Sequence, residues 1–75
     1  MSEYDRIRWH CRRGLLELDL VLGRFLETRY GQLTSEQKHA FTRLLDLPDN
    51  DLWDLVNGRA RTDDADCAEI VGMLR

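Results

Sequence analysis

Proline occurs once in this chain, at Pro48, and cysteine twice, at Cys11 and Cys67. A single proline and five glycines in 75 residues exclude a collagenous or low-complexity chain. Two cysteines, in no metal-type spacing, exclude a disulfide framework and a thiol zinc cluster of C-x2-C kind. No apolar run approaches the roughly 20 residues that cross a bilayer. The opening Met-Ser-Glu-Tyr-Asp-Arg lacks the apolar core of a secretory signal, so no export signal is expected. Reduced thiols in a cytoplasmic protein follow from both points. Serine is scarce: Ser2 and Ser35 stand in no G-x-S-x-G setting, and no glycine-rich phosphate loop is present. The carboxylates Glu17 and Asp19 lie two apart on one helix and point to different sides, so they make no paired acid site.

What is present is helical spacing. The 75 residues make one expected domain, residues 1–75, that buries only about 60–65% of its unfolded surface. That leaves little room for an enclosed cofactor beside a core. The spacing predicts a first helix from about Glu3 to Arg12, with Tyr4, Ile7 and Cys11 on one narrow stripe. Trp9 falls off the stripe and is a candidate for exposure or a separate contact. Gly14 breaks the pattern as a helix-ending C′ glycine does. A second helix runs from Leu15 or Leu16 to Tyr30, with Leu15, Leu18, Leu22, Phe25 or Leu26, and Tyr30 inward, and Gly31 ending it. Thr34 and Gln37 form a capping box for a third helix that carries Ala40, Phe41, Leu44 and Leu45, with Leu33 as its staple. Pro48 stops it, and Asp49 or Asn50 caps a short fourth helix, Asp51 to Val56, ended by Asn57-Gly58. Thr62 or Asp63 caps a fifth, with Cys67, Ile70, Val71 and Leu74 on one face. The expected fold is all-α, a compact bundle of five short helices.

The net charge of −3 is uneven. Residues 1–13 carry +2 and the remainder −5. Arg6, Arg8, Arg12 and Arg13 are therefore concentrated just ahead of Gly14, which points to a polar partner for that region. The acidic remainder argues against nucleic acid, although an arginine-driven regulatory nucleic-acid binder stays as the alternative function. The acids Asp46, Asp49, Asp51 and Asp54 miss the spacing of a calcium loop and read as a solvated helix start. His10, Cys11, His39 and Cys67 have no zinc-ligand spacing.

Arg13-Gly14-x-x-Glu17 admits two readings. One is a glycine cap with an incidental charge pair. The other is a polar site around bare backbone, with Arg13 as a planar cationic fork and Glu17 as a fixed acceptor. The surrounding string, Arg6-Ile-x-Trp9-x-Cys-Arg-Arg13-Gly14-x-x-Glu17-Leu-Asp19, resembles the bacterial FAD assembly factors of succinate dehydrogenase and their mitochondrial relatives. The segment LTSEQKHAFTRLLDLPDNDLWDLVNG resembles the same family. Two departures stand out: family members often continue past the position of Arg75 with a polar tail, and the acidic turn here is longer, which is expected to shift the fourth helix slightly.

The resemblance implies a five-helix protein that is not itself an enzyme and holds no FAD or metal of its own. It implies binding to the flavoprotein subunit of succinate dehydrogenase, and in bacteria of fumarate reductase, to promote covalent attachment of that subunit's FAD to a histidine. The site residues it carries over are Arg13, Gly14 and Glu17, with Trp9, Arg12 and Asp19 as neighbours. An acidic group of the partner is expected opposite Arg13. No membrane insertion is expected, and the chain is expected to be monomeric. A direct FAD-binding flavinyl transferase is the further alternative.

Overall fold

Each helix start is built from local chemistry, and the computed structural model describes residues 2–75. Ser2 Oγ accepts from the Asp5 amide at 3.1 Å and opens α1, Glu3–His10. Asp19 and Glu17 lie in the first turn of α2, Leu16–Thr28, where negative charge suits the helix dipole. A 3-10 turn at Tyr30–Gln32 leads to α3, Ser35–Leu45. Its start is the predicted capping box: Thr34 Oγ1 accepts from the Gln37 amide, and Gln37 Oε1 accepts from the Thr34 amide. Then come α4, Asp49–Asn57, and α5, Ala65–Leu74. No strand occurs among the described residues, and the all-α, five-helix expectation holds.

Boundaries differ from the sequence expectation at five places, each for a local reason. The first helix stops at His10 rather than Arg12, because the Cys11 amide is shared between the Ile7 and Arg8 carbonyls and the Arg12 amide turns to the Trp9 carbonyl three residues back. The Arg13 amide leaves the helix altogether and donates to Asp19 Oδ1 at 2.7 Å. Gly14 thus lies three residues past the cap at Cys11, inside the connection, and is not a helix C′ residue. The second helix ends at Thr28, and Tyr30 and Gly31 belong to the 3-10 turn. Pro48, with extended backbone (φ −57°, ψ 153°), precedes α4, so Asp49 is already helical and caps nothing. Asp64, not Thr62 or Asp63, caps α5 by accepting from the Cys67 amide at 3.0 Å. Gly58 ends α4 with φ +83°, as the Asn-Gly pair predicts.

One continuous apolar cluster fills the interior, drawing on α1 through Ile7 and on every later helix. Helix α5 is the hub and packs on α2, α3 and α4. Leu18, Leu22, Phe41, Leu52 and Ile70 are wholly buried. The Phe25 and Phe41 rings lie 4.9 Å apart and Tyr30 and Phe41 5.9 Å apart, so three aromatics tie α2, the 3-10 turn and α3 together. Tyr4 stacks edge-on against Tyr30 at 6.2 Å and leaves its outer side in water. Leu15, expected inward, is exposed: it precedes the first helical turn in extended backbone, where helical phase does not yet apply.

Candidate functional site

The connection between α1 and α2 is short, so its backbone groups must be satisfied locally. Asp19, one turn into α2, reaches back and does this with both oxygens. Oδ1 accepts from the Arg13 amide and Oδ2 from the Gly14 amide at 3.2 Å. Two adjacent amides converging on one carboxylate fold the chain into a tight concavity around it. Gly14 sits at its apex with φ +81°, a region where a side chain costs about 1–2 kcal/mol. A Cβ built there meets no atom within 4 Å, so it is conformation and not crowding within the chain that demands glycine. Gly14 is exposed.

Arg13 is placed differently from the sequence expectation. Its guanidinium turns inward and its side chain is 11% exposed. Nε donates to the His10 carbonyl at 3.0 Å, which closes the end of α1. Nη1 donates to the Leu47 carbonyl at 2.6 Å and pairs with Asp49 Oδ1 at 3.0 Å. Nη2 donates to the Leu45 carbonyl at the end of α3. The acidic group expected opposite Arg13 on a partner is therefore supplied within the chain, by Asp49.

The other expected residues lie on the outside. Trp9 is 63% exposed, which answers the question its off-stripe position raised. Asp5, Arg8, Trp9 and Arg12 border a shallow cleft of about 420 Å³ on the outer side of α1. Glu17 is exposed and makes no hydrogen bond or ion pair among the described residues. The structure thus brings Arg13, Gly14 and Asp19 into one turn, with Glu17 on the helix that follows it and Trp9 and Arg12 on the segment that precedes it.

Sequence reasoning missed three residues. Asp49 was read only as a helix start. Leu16 and Leu20, 74% and 64% exposed, form an apolar stripe on the side of α2 opposite Leu18. At 100° per residue they fall about 160° and 200° from it. That signal was available in the sequence, because a helix with leucines on two opposite faces cannot bury both in a small bundle. A broader groove of about 930 Å³ runs beside this stripe, between α2 and the end of α5, with Glu17, Leu20, Arg24 and Met73 along it.

Cys11 lies just behind the turn and is buried. Burial pushes its thiol from the ordinary 9.0 up to about 11, Arg13 opposes the shift, and Asp19 adds to it. Because the folded value is raised, the stability drawn from the neutral thiol is complete below pH 9.0 and is lost as pH rises through about 11. Native protein at pH 8 is therefore expected to alkylate at Cys11 far more slowly with iodoacetamide than denatured protein, measured by mass spectrometry of the labelled peptide. Equal rates would mean that the turn opens freely.

The chain is similar to proteins of one family. The family described as flavinator of succinate dehydrogenase matches residues 5–75. The FAD assembly factor SdhE of Methylococcus capsulatus is 43% identical over 75 residues, covering 100% of this chain and 90% of that protein. That of Coxiella burnetii is 42% identical over 70 residues, covering 93% and 85%. That of Pseudomonas aeruginosa is 37% identical over 73 residues, covering 97% and 87%.

Proposed function

The chain belongs to the family of succinate dehydrogenase flavinators, and from that premise we propose that it docks on the flavoprotein subunit of succinate dehydrogenase through the Gly14 turn. The observation that carries the reading is an outward-facing, side-chain-free apex held rigid from behind. Asp19 and Arg13 fix the apex from within. Gly14 lets partner backbone approach to contact distance. Glu17 offers a carboxylate with no partner among the described residues, suited to a basic or amide group across the interface. Trp9, Leu16 and Leu20 surround the turn's two ends with exposed apolar area, and Arg12 adds an exposed cation. Aromatic and arginine side chains are the usual anchors of such faces. Arg13 belongs to the site through the shape it imposes.

On this reading the partner performs its own chemistry. Covalent flavinylation replaces a flavin methyl C–H and an imidazole N–H with a C–N bond, the isoalloxazine ring taking up the two electrons and two protons, and orientation and preorganised charge are the resources that speed such a step. This chain supplies orientation by holding the flavoprotein's domains in the productive arrangement. It binds no FAD stably and acts on the FAD of its partner. The flavoprotein of fumarate reductase is a second client of the same kind.

The test uses Glu17→Ala. An exposed carboxylate with no internal contact changes folding stability by no more than about 0.5 kcal/mol, so the thermal midpoint is expected to stay put. Covalent flavin on the isolated flavoprotein subunit, read as in-gel fluorescence after denaturation, is expected to fall about tenfold at limiting assembly factor, as loss of a charge-assisted contact of about 1.4 kcal/mol predicts. Unchanged flavinylation with the variant would remove Glu17 from the interface. A shift of free FAD fluorescence on adding the pure chain alone would instead favour direct flavin binding.

A further inference from the structure

Arg13 joins two parts of the chain that are far apart in sequence. Its backbone amide is held by Asp19 in the Gly14 turn, while its guanidinium ends on the α3–α4 corner, 32 to 36 residues away. The corner presents three acceptors. Two are the carbonyls of Leu45 and Leu47, left over where α3 ends and Pro48 prevents its continuation. The third is Asp49, fixed in the first turn of α4. Of the four acids around Pro48, Asp49 is the one paired with Arg13 among the described residues. It is also the only one of the three acceptors that is a side chain.

From this we propose that Asp49 is a positioning residue for the docking turn: it draws the Arg13 guanidinium onto the α3–α4 corner and so sets the angle at which Gly14 is presented, without itself touching the partner. The proposal rests on the docking reading above. The carbonyls of His10, Leu45 and Leu47 take one bond from each guanidinium nitrogen. The Asp49 carboxylate adds the charge-assisted bond of the set, which makes the grip on the corner strong enough to hold the turn. Lysine cannot reproduce the grip, since one ammonium cannot reach the His10 carbonyl and the corner together. With Pro48 extended, Asp49 falls at the start of α4, facing Arg13.

The experiment compares wild type with Asp49→Asn, Asp49→Glu and Arg13→Lys, using the full chain and the isolated flavoprotein subunit. Two quantities are read: the ¹H–¹⁵N resonances of the Arg13 and Gly14 amides in the free chain, and the Kd for the flavoprotein subunit. Asp49→Asn is expected to move both amides toward their unstructured positions and to weaken binding about tenfold. Asp49→Glu, which keeps the charge, is expected to restore most of both. Arg13→Lys is expected to behave like Asp49→Asn, and it serves in its place should Asp49→Asn fold poorly. Weakened binding with unmoved amides would make Asp49 a direct partner contact and overturn the proposal. Moved amides with unchanged Kd would overturn it as well, because presentation of the turn would not matter. The docking reading fails separately, if a folded Gly14→Val chain keeps wild-type affinity, and the amide shifts of the free chain still report whether Asp49 holds the turn.

Discussion

Gly14→Val leaves the far-UV helical signal of the chain essentially intact and lowers covalent flavinylation of the flavoprotein subunit by at least about 30-fold. Two separate terms produce this result. The first is conformational. At φ +81° an L-residue costs about 1–2 kcal/mol, and a β-branched one lies at the upper end or beyond. A chain of 75 residues has about 4–11 kcal/mol to lose, so most molecules remain folded, with a midpoint lowered by several degrees. The second term acts only in the complex. A Cβ at this position opens onto free space, so the valine side chain is directed outward from the free chain, toward the proposed partner. Obstruction at the centre of an interface costs about 2 kcal/mol or more, which is about 30-fold in affinity. Gly14→Ala separates the terms, since it carries much of the strain with one methyl of bulk. The expected order of flavinylation is wild type, then alanine, then valine, while circular dichroism shows three folded proteins. If valine and wild type flavinylate equally, the partner is engaged somewhere other than this turn.

The features legible in the sequence are those whose cause lies within one or two helical turns. The capping box at Thr34 and Gln37 is such a case, since both hydrogen bonds close within four residues. The left-handed Gly58 is another, and so is the buried stripe of Leu18, Leu22, Phe25 and Leu26. Legibility fails where the cause is distant or where a pattern is applied beyond its element. Leu15 fits the stripe by spacing, but the helix has not begun there. The expected cap at Asp49 fails because α4 begins directly after Pro48, and the carboxylate pairs instead with Arg13, 36 residues earlier, a pairing that no local pattern encodes. Within the candidate site, the two charges of Arg13-Gly14-x-x-Glu17 have opposite fates. Glu17 faces water and Arg13 faces the α3–α4 corner. The motif alone cannot assign those directions, because they depend on how Asp19 folds the connection back on α2.

Phe41→Ala is expected to harm folding and function together, and the way function fails separates it from any variant of the turn. Phe41 is wholly buried and carries ring contacts to both Phe25 and Tyr30. Truncation removes the transfer free energy of the ring and leaves a cavity, about 3–5 kcal/mol in similar cores. Set against about 4–11 kcal/mol in total, that brings an appreciable unfolded population within reach at 37 °C. At about 4–8 °C per kcal/mol, the thermal midpoint falls by more than about 12 °C in a calorimetric scan. The proposed docking face lies on α1, the connection and α2, and none of its hydrogen bonds involves Phe41. A folded Phe41→Ala molecule should therefore bind with near wild-type affinity. Mass action then predicts rescue: flavoprotein subunit at about 100 times Kd stabilises the folded form by about 2.7 kcal/mol. Flavinylation by Phe41→Ala is expected to recover at low temperature and high partner concentration. Gly14→Val does not recover on cooling, because its defect lies in the complex; partner at about 100 times the wild-type Kd offsets an affinity loss of about 30-fold, so cooling at limiting partner is the condition that separates the two variants. Failure of Phe41→Ala to recover under those conditions would mean that the core packing of α2 against α3 also shapes the docking face.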